Sequence, residues 1–592
     1  MCNLLRHRGP DDEAYLTDRC VDLGMTRLAI LDLRKNLYPL KNEDQTIQLI
    51  YNGEIYNFSE LTTELRAKGH TFASKVDGEV LVHGYEEWGL DCLRKLNGMW
   101  AFALWDSRQE RLIIGRDHAG IKPLYYHVDD DLFAFASEIQ PLLYLPFVEK
   151  KPNEPIVFDY LVDGRLDHTE ETFFHSILRV MPAHYIAISR DSHFEKVQYW
   201  KMPSVSEETS EESMKMDAER LKMLFVDSVR LRLISDVTVG SCLSGGLDSS
   251  AIVSVISRLK DGDKKSIGQR LQAVSACYPG EDIDESQFIN VVAENTPIDV
   301  NLVCPTSSEL WRDLQKLVQT QEEPFGGTSV YAQWRVMQAA KARGITVMLD
   351  GQGNDELLAG YPEYVVLYIA DLIKNRKVLT ATREMLRFAD TIIPLIPLII
   401  TGVSRTARLL RYLNPEFVAR NSSTKNFRFG SRTTLGQMLW DDTTRRVLPS
   451  LLRYEDKNSM HFSIEARLPF LDPRLIELAA SLPLGVKIGD GWTKRVFREA
   501  MKGILPAPIA HRRRKIGFQT PQQKWLFHEL HDKLEDLLSS EMRAAKFVNQ
   551  KELLNLLHMG RRKTLSRWYS DLFWRCIDLE LWMREFIPPS SG

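Results

Sequence analysis

The pattern of apolar and polar residues changes about one third of the way along the chain. Residues 1 to about 200 contain many short apolar or alternating runs, which are typical of strands that bury one or both faces. Helical spacing occurs there at 58–68 and 78–88. The clearest predicted strands are 47–51, 100–104, 111–114 and 132–135, divided by turn signals at Asn52-Gly53, 117–120 and Pro182-Ala183. Residues 1–200 are therefore predicted to form an α+β domain of stacked sheets flanked by helices.

Beyond residue 200 the pattern becomes typical of a parallel α/β fold. Residues 201–213 are acidic and Ser-rich, which predicts an exposed linker. Apolar residues recur at helical spacing over 214–234. Further on, helical stretches alternate with apolar runs of strand length at 237–243, 271–274 and 345–349. Residues 214–592 are predicted to form a second domain around a parallel sheet, with helical extensions that include a terminal helix over 563–582.

The composition is that of an ordinary soluble protein and excludes some classes of partner. The 592 residues are 44% hydrophobic and 26% charged, and their net charge of −4 gives no long-range attraction to nucleic acid or to an anionic membrane. Seven cysteines occur without a C-x-x-C pair, which favours a reducing cytoplasm over a disulfide framework or a cysteine zinc site. The first eight residues become charged before any apolar run, so no secretory signal peptide is predicted.

One apolar segment, 391–403, needs a separate interpretation. It is shorter than the roughly 20 residues of a transmembrane helix. Pro394 and Pro397 would also interrupt such a helix. A buried segment, or an apolar patch beneath a loop, is the simpler interpretation. Because three arginines follow it, peripheral contact with a membrane through a basic, apolar face is the alternative.

A glycine turn is predicted between the strand at 237–243 and a helix that begins near Ala251. It reads Ser244-Gly245-Gly246-Leu247-Asp248-Ser249-Ser250. Adjacent glycines let backbone N–H groups approach an anion closely, and the start of the helix adds positive partial charge. The serine hydroxyls are further donors, and Asp248 is suited to holding Mg²⁺ against phosphate oxygens. No lysine follows the glycines, so the turn is not a Walker A loop.

Three further segments carry charges suited to the same chemistry. Residues 350–356 (DGQGNDE) follow a predicted strand, and acids on such a turn either hold Mg²⁺ or are simply solvated. Lys494, at a predicted helix start, either neutralises a departing pyrophosphate or is an ordinary surface lysine. Residues 511–518 form a basic cluster of the kind that is often mistaken for a nucleic-acid site.

Taken together, these segments resemble the synthetase domain of the asparagine synthetase B family. The matching pieces, in the family's order, are 244–250, 350–356, 359–361, 454–460, 464–472 and 512–518. The resemblance implies an ATP-pyrophosphatase fold and a two-step reaction. ATP would transfer AMP to the β-carboxylate of aspartate and release pyrophosphate, and ammonia would then attack the acyl-adenylate.

The resemblance also implies roles for particular residues. Residues 244–250 would bind pyrophosphate, and Lys494 would neutralise its charge. The nucleoside would be lined by Ala276, Asp350 and Gly351, and Mg²⁺ would be held by Asp248 and Asp355. Gln352 stands where many members have a glutamate that is tied to forming the acyl-adenylate. An amide cannot exchange a proton as a carboxyl group does, so this position leaves any acid–base role open.

Residues 1–200 resemble class II glutamine amidotransferases, which have an N-terminal-nucleophile (Ntn) hydrolase fold of αββα layers. The matching pieces are 7–11, 26–30, 52–57, 77–79, 115–117 and 122–125. The resemblance implies that Arg27 binds the α-carboxylate of glutamine as a bidentate fork. Asp77 would take the α-ammonium, with Glu54 beside it in the glutamine-binding segment. Asn52 and the N–H of Gly53 would form the oxyanion hole.

The nucleophile that the resemblance implies does not match this sequence in its spacing. In the family it is an N-terminal cysteine whose own α-amine is the base. Removal of Met1 would expose Cys2, but the family has about a strand and a helix before the segment that starts at His7. Here four residues separate Cys2 from His7, a reach of at most about 17 Å. We therefore expect Cys2 to belong to a helix remnant with Leu4 and Leu5 on its buried side.

On that interpretation the first strand is absent, which would expose a sheet edge. Either the start codon is misplaced or the chain uses free ammonia. A relative of the family that amidates or cyclises another carboxylate would share the same motifs, and so would a non-enzymatic paralogue. The intact glycine turn, Asp355 and Lys494 speak against the paralogue. The expected partners are aspartate, glutamine or ammonia, and ATP with Mg²⁺, without nucleic acid or a membrane. The resemblance implies a cytoplasmic homodimer.

Overall fold

The chain folds into two α/β regions, each built around its own large sheet. The computed structural model describes residues 1–190, 194–208, 213–259, 266–268, 270–395, 405–421, 433–513 and 515–589. The predicted fold class, stacked sheets followed by a parallel α/β domain with helical extensions, is confirmed.

Strands dominate the first third of the chain and then become sparse. In chain order they are β1 (Asp12–Asp18), β2 (Val21–Arg27), β3 (Leu40–Lys41), β4 (Ile47–Ile55), β5 (Gly98–Asp106), β6 (Arg111–Arg116), β7 (Tyr125–Val128), β8 (Phe133–Ala136), β9 (Leu178–Arg179), β10 (His184–Ser189), β11 (Phe194–Gln198), β12 (Val239–Cys242), β13 (Leu271–Ala276), β14 (Ile298–Val303), β15 (Val347–Leu349) and β16 (Glu465–Arg467).

The N-terminal region is a stack of sheets around an antiparallel sheet of order β11-β10-β6-β5-β4-β3. Alternate residues of its strands face opposite layers because the side-chain period of a strand is two. Leu49 and Trp100 pack toward the helices Phe58–Ala67 and Glu79–Trp88. Ile50 packs toward the smaller sheets β1-β2 and β8-β7-β9. All of β5 is buried because both faces are covered.

The C-terminal region has a wholly parallel sheet of order β14-β13-β12-β15-β16. The chain runs outward from β12 to β14, then returns to the other side of β12 as β15. The sheet order therefore reverses between β12 and β15. Loops leaving adjacent strands diverge at such a point, and ligands of open α/β sheets bind there.

Helices pack against the sheets of both regions, and those of the C-terminal region also extend beyond its sheet. The helices of the N-terminal region are Phe58–Ala67, Glu79–Trp88, Gln140–Leu143 and Glu154–Asp163. Those of the C-terminal region are Met214–Arg232, Leu247–Arg258, Ser286–Asn295, Ser307–Gln321, Ser329–Ala342, Asn354–Leu357, Pro362–Lys374, Val378–Arg387, Ala389–Ile392, Arg405–Leu410, Pro415–Asn421, Leu435–Asp441, Leu448–Met460, Pro473–Ser481, Leu484–Lys487, Arg495–Ala500, Ala507–Ala510, Gln522–Lys524, His531–Ser539, Gln550–Arg562 and Arg567–Phe586.

Short 3-10 and π segments complete the secondary structure. The 3-10 segments are Cys2–Leu5, Gly89–Lys95, Ile393–Leu395, Pro469–Leu471 and Arg543–Lys546, and the π segments are Asp442–Arg446 and Trp525–Glu529.

Two local predictions are wrong. Asn52-Gly53 is not a turn but lies inside β4, where Asn52 pairs with Ala101 and Gly53 with Trp100. The nine-residue ladder to β5 outweighs the turn preference of the dipeptide. The predicted exposed linker is partly buried, because Met202 and Val205 are only 6% and 8% exposed. Both side chains join the core of the C-terminal region. Residues 209–212 of the linker lie outside the described residues.

The apolar segment 391–403 is only partly described. Its first residues complete the helix Ala389–Ile392 and form the 3-10 turn Ile393–Leu395, while 396–403 lie outside the described residues. Ile393 is 63% exposed, so this part is not buried as the simpler interpretation expected. Among the described residues, no helix combines the length and the apolar character needed to cross a membrane.

The two regions are joined by a buried interface with many charges. Ile30, Tyr56 and Met99 belong to the same apolar core as the C-terminal helices. Arg8 donates to Asp456 at 2.7 and 3.1 Å, and Arg467 donates to Glu54 at 3.0 Å. Each of these side chains is at most about 6% exposed. Buried charges of this kind require their partners, so the two regions depend on each other.

Candidate active sites

One cavity opens at the reversal point of the parallel sheet. We call it the sheet-end cavity; its volume is about 270 Å³. It is bordered by the loops that follow β12, β13 and β15, which carry the glycine turn, Ala276 and the 350–356 segment. Ala276, Asp350, Gly351 and Gln352, which were proposed as site residues from the sequence, all line it. Three segments that are far apart in the sequence therefore share one space.

The glycine turn forms a cradle of donors along this cavity. The Oγ atoms of Ser244 and Ser249 are 3.0 Å apart, and the Ser244 N–H donates to Ser249 Oγ at 3.1 Å. The Gly246 N–H donates to Ser244 Oγ at 3.2 Å. The helix Leu247–Arg258 begins here, four residues before the predicted start at Ala251. Its first N–H groups have no partner within the helix and can receive an anion.

Not every residue of the turn reaches the cavity. The residues that line it are Ser244, Gly246, Leu247, Asp248 and Ser249. Ser250 is completely buried within its helix. Gly245 shapes the backbone instead: its φ is +71°, and a Cβ atom there would lie 2.8 Å from the Cβ of Phe288. A glycine is needed at this position for both reasons.

A compact cluster of acids and amines faces the turn. Lys494 Nζ lies 2.6 Å from Asp248 Oδ2 and 2.7 Å from Asp355 Oδ1. Lys515 also pairs with Asp355, and the Asn354 amide donates to Asp248 Oδ1 at 2.6 Å. Burial opposes ionisation of Asp355, but Lys494 and Lys515 outweigh it and lower its pKa to about 2. The cluster therefore keeps Asp355 charged at neutral pH.

Lys494 is held in an unusual backbone conformation. It precedes the helix Arg495–Ala500 with a φ of +51°, a region that few residues other than glycine occupy. Its side chain is only 4% exposed. Strained backbone is concentrated at functional sites because it persists only where surrounding contacts fix it. The position and the conformation of Lys494 both favour a functional role over that of a surface lysine.

Beside Gln352 lies a buried carboxyl group that the sequence analysis did not single out. Glu455, on the helix Leu448–Met460, is 2% exposed and accepts a hydrogen bond from Gln333. Burial, followed by repulsion from Asp350, raises the pKa of Glu455 well above its ordinary value, although a hydrogen bond from Gln352 opposes the rise. A buried carboxyl group with a raised pKa therefore adjoins the amide of Gln352.

Most of the basic cluster at 511–518 lines the sheet-end cavity. Arg512, Arg513 and Lys515 line the cavity, while Arg514 lies outside the described residues. Arg512 donates to the carbonyl of Gly245 at 3.1 Å and to Glu285 Oε1 at 2.5 Å. Arg512 thus ties the cluster to the glycine turn.

A second cavity, of about 410 Å³, lies beside β4 in the N-terminal region, and we call it the β4 cavity. It brings together Cys2, Arg27, Asn52, Gly53, Glu54 and Asp77. Arg27 ends β2, and its guanidinium donates to the carbonyl oxygens of Leu31, Asp32 and Arg34 at 2.6 to 3.0 Å. These bonds hold the guanidinium in place without neutralising it, so its charge remains available for a carboxylate.

Two acids occupy the floor of the β4 cavity. Asp77 accepts hydrogen bonds from the Ile55 N–H at 2.6 Å and the Tyr51 hydroxyl at 2.8 Å. Burial nevertheless raises the pKa of Asp77 to about 6. Burial and repulsion from Asp77 raise the pKa of Glu54 well above its ordinary value, even though Arg467 pairs with it. This pair of carboxyl groups would be stabilised in its ionised form by a cationic ligand such as an α-ammonium.

Gly53 and Asn52 lie on the wall of the same cavity. Gly53 has a φ of +154°, and a Cβ atom there would lie 2.1 Å from the carbonyl oxygen of Met99. Only a glycine fits at position 53 of β4. The Asn52 side-chain amide is 3.5 Å from Ser137 Oγ, so it is only weakly engaged by the protein.

Cys2 opens the 3-10 segment Cys2–Leu5 and lines the β4 cavity. Burial raises the pKa of its thiol, although the charge at the N-terminus opposes the rise. The prediction that Leu4 and Leu5 form a buried side is wrong, because Leu4 is 39% exposed and neither is buried. The helical character predicted for this stretch takes the form of a single 3-10 turn.

The chain matches two family models. The model described as "Asparagine synthase" matches residues 220–584, and the model described as "Glutamine amidotransferase domain" matches residues 1–200. The first match alone spans more than half of the 592 residues. The chain belongs to the asparagine synthase family.

Named relatives of this asparagine synthase family member span nearly its whole length. "Asparagine synthetase [glutamine-hydrolyzing] 1" of Bacillus subtilis is 29% identical over 98% of this chain and 93% of its own. "Asparagine synthetase [glutamine-hydrolyzing] 3" of the same organism is 30% identical over 87% of this chain and 82% of its own. "Amidase chyE" of Penicillium rubens is 26% identical over 95% of this chain and 92% of its own.

Some residues in or beside the sheet-end cavity were not predicted individually. Arg512 and Lys515 were seen only as part of a basic run, while Glu285 and Glu455 were not singled out at all. The signal available for the first two was the position of the run, close after Lys494. No periodicity or spacing in the sequence indicates that Glu455 meets Gln352, because that contact depends on how a distant helix packs.

Proposed function

We propose that this chain makes asparagine by joining ammonia, drawn from glutamine, to the side-chain carboxylate of aspartate at the expense of ATP. The observation that carries the proposal is the pairing of Lys494 with Asp248, which belongs to a glycine turn that lacks a lysine, and with Asp355. A turn of this kind, with separate lysine and acids, suits cleavage between the α- and β-phosphates.

In the first step, a carboxylate oxygen of aspartate attacks the α-phosphorus of ATP. The bond from that phosphorus to the bridging oxygen breaks, and pyrophosphate leaves with the electron pair. The chain's contribution is to position the two reactants and to neutralise charge. Ser244, Ser249 and the N–H groups beside them would hold the pyrophosphate. Lys494 and Arg512, which both line the cavity, supply positive charge.

The donor set in the sheet-end cavity fits Mg²⁺. Asp248 and Asp355 both direct a carboxylate oxygen at one ammonium group, and hard oxygen ligands of this type suit Mg²⁺. Bound there with ATP, Mg²⁺ would neutralise phosphate charge. Lys494 would then be released from the acids to contact the phosphates.

In the second step, ammonia attacks the carbonyl carbon of the acyl-adenylate, and AMP leaves with its oxygen. The attacking nitrogen must lose a proton. Gln352 cannot accept it, but the carboxyl group of Glu455 lies beside Gln352 and has a raised pKa. We propose that Glu455, once ionised, serves this role or orients the ammonia.

Glutamine is the proposed source of the ammonia. The β4 cavity offers Arg27 for the α-carboxylate and the two acids, Asp77 and Glu54, for the α-ammonium. Asn52 and the N–H of Gly53, which line the same cavity, are the proposed oxyanion hole. Three statements remain predictions. They concern the role of Cys2, the domain boundaries at 200 and 214, and the homodimer. The seven unpaired cysteines are consistent with the proposed cytoplasmic location.

The test is product formation by the purified full chain with ATP, Mg²⁺, aspartate and either ammonia or glutamine. When ammonia is the nitrogen donor, we expect asparagine, AMP and pyrophosphate to form in equal amounts. Loss of the glutamine reaction in Cys2→Ala, with the ammonia reaction retained, would identify Cys2 as the nucleophile. Absence of asparagine with both donors would refute the proposal.

The second candidate function is amidation of a carboxylic acid other than aspartate, because one relative of nearly full coverage is named an amidase. The same assay decides between them. If AMP and pyrophosphate form only when aspartate is replaced by another carboxylic acid, the chain is an amidotransferase for that acid.

A further inference from the structure

Four side chains that neither active site uses meet on the outer side of the N-terminal region. Glu43 lies in the turn between β3 and β4, and His70 follows the helix Phe58–Ala67. His83 and Glu86 lie one helical turn apart on the helix Glu79–Trp88. Each offers one ligand atom, and these four atoms all lie within 4.8 Å of one another. None of the four lines the sheet-end or β4 cavity.

The distances within this His/Glu cluster are longer than good hydrogen bonds. His70 Nδ1 is 3.5 Å from Glu43 Oε1, and His83 Nδ1 is 3.4 Å from Glu43 Oε2. Hydrogen bonds from a ring nitrogen to a carboxylate are usually about 2.7 to 3.2 Å long. Two ligand atoms of a tetrahedral Zn²⁺ ion, each about 2.0 to 2.2 Å from the metal, lie roughly 3.4 Å apart. The observed spacing therefore fits a shared cation better than direct contact.

Buried polar atoms in the cluster lack partners. The His83 side chain is 1% exposed, and within the described part of the chain neither of its ring nitrogens has a hydrogen-bond partner. The same holds for Oε2 of Glu86. Leaving such a group buried and unpaired is unfavourable, because its hydrogen bonds to water are lost and not replaced. A bound ion would remove this cost at the one atom of each residue that it contacts.

The local charge also favours a cation. Glu79 Oε1 lies 3.6 Å from His83 Nε2, and Glu87 Oε2 lies 3.5 Å from His70 Nε2, so the imidazoles stand between four carboxylates. The positive groups nearby are Lys68, 2.8 Å from Glu87, and Arg108, 3.5 Å from Glu86. Glu43 has no lysine or arginine partner within the described ion pairs.

We propose that Glu43, His70, His83 and Glu86 bind one divalent transition-metal ion of the class that includes Zn²⁺. Two imidazole nitrogens and two carboxylate oxygens are a ligand set that suits such ions. The outer carboxylates of Glu79 and Glu87 face the second nitrogens of the two imidazoles, as supporting groups of metal-bound histidines commonly do.

The ion would tie three separate stretches of the chain together. His70 and Asp77 lie on the same connection between the helices Phe58–Ala67 and Glu79–Trp88. Fixing His70 to His83 and Glu86 would restrain this connection and so the position of Asp77 in the β4 cavity. The proposed role is structural and does not depend on the reaction that the chain catalyses.

A second His/Glu cluster in the described residues supplies the matched control. His531, Glu535 and His558 also bring their ligand atoms within 4.8 Å. There, however, Arg561 lies 3.0 Å from His531 Nδ1 and Glu535 already pairs with His558 at 2.7 Å. A guanidinium at that distance repels a cation, so we expect no ion at this second cluster.

The test uses the purified full chain after chelation, titrated with Zn²⁺ and separately with Co²⁺. We expect one ion per chain, the visible absorption of four-coordinate Co²⁺, and a higher unfolding temperature with Zn²⁺. His558→Gln should behave as the parent. His70→Gln and Glu86→Gln should bind at least about tenfold more weakly.

Circular dichroism of the metal-free forms checks that each variant is folded. If Glu86→Gln does not fold, His70→Gln, whose side chain is partly exposed, still gives the answer. Failure of the parent to bind either ion would overturn the proposal. Binding that is lost in His558→Gln but kept in His70→Gln would overturn it too, by assigning the ion to the second cluster.

Discussion

At the scale of single residues, the sheet-end cavity depends on one buried lysine with two acidic partners. Lys494 spans Asp248 and Asp355, which come from loops after different strands of the sheet. Without a ligand its ammonium group pairs with these two carboxylates. When ATP and Mg²⁺ bind, the same charge becomes available to the phosphates. The lysine would therefore act mainly on the chemical step.

Replacing Lys494 tests this role. We expect Lys494→Met to lower the rate of pyrophosphate release by about 100- to 1000-fold, because a preorganised charge at the leaving group is lost. Binding of ATP should weaken far less. Lys502→Met is the matched control, since Lys502 is 77% exposed and pairs only with Glu499 in its own segment. Equal losses in the two variants would remove Lys494 from the reaction.

Asp77 gives the β4 cavity a predicted dependence on pH. Burial raises the pKa of Asp77 to about 6, so its carboxylate becomes protonated as the pH falls through 6. Only the ionised form attracts the α-ammonium of glutamine. The dissociation constant of glutamine should thus be constant above pH 7 and rise up to about tenfold per pH unit below 6.

Calorimetric titration of glutamine between pH 5 and 8 measures this dependence. Glutaramate, which lacks the α-ammonium, is the control ligand and should show no step near pH 6. A step shared by both ligands would point to general unfolding instead of Asp77.

At the scale of elements, short loops after parallel strands place the reactive groups. The loop after β15 carries Asp350, Gly351, Gln352 and, in the helix Asn354–Leu357, Asp355. Gly360 closes this loop against the acid cluster. A Cβ atom at Gly360 would lie 1.9 Å from Asp355 Oδ1 and 2.3 Å from Cε of Lys494. Only a glycine lets the chain pass so close to both side chains.

Gly360→Ala tests this packing. We expect the variant to remain folded but to lose most pyrophosphate release, because the methyl group must displace Lys494 or Asp355. Gly326→Ala is the control, since the nearest atom to its added Cβ would be the Tyr454 hydroxyl at 3.4 Å. Full activity in Gly360→Ala would mean that the acid cluster tolerates a different arrangement.

The elements differ in how well the sequence predicts them. The helices Phe58–Ala67 and Glu79–Trp88 and the strand β5 follow periodicity, because one face or both are regularly apolar. The turn predicted at Asn52-Gly53 is wrong because pairing with β5 outweighs the local turn preference of this dipeptide. Glu455 and the His/Glu cluster depend on packing between distant segments, which no local pattern in the sequence carries.

At the scale of the whole molecule, buried charges join the two sites. Arg467 ends β16 and donates to Glu54 at 3.0 Å and to Glu465 at 2.8 Å, while its carbonyl accepts the Asp350 N–H at 3.0 Å. One residue therefore contacts both the floor of the β4 cavity and the loop of the sheet-end cavity. Its side chain is completely buried.

Arg467→Met should be strongly destabilising, by about 3 to 5 kcal/mol, because it removes the guanidinium that pairs with two buried carboxylates. The midpoint of the first urea transition measures this loss. Arg270→Met is the control: its pair with Asp299 is exposed, so the change should be below about 1 kcal/mol. A stable Arg467→Met variant would mean that the two regions do not depend on this charge.

The most direct test of the proposed reaction follows an oxygen atom. Aspartate labelled with ¹⁸O in its side-chain carboxylate is incubated with the full chain, ATP, Mg²⁺ and ammonia, and the products are analysed by mass spectrometry. Attack on the α-phosphorus predicts that each asparagine formed leaves one ¹⁸O in AMP and none in pyrophosphate. Label in orthophosphate, with ADP as the nucleotide product, would contradict the account.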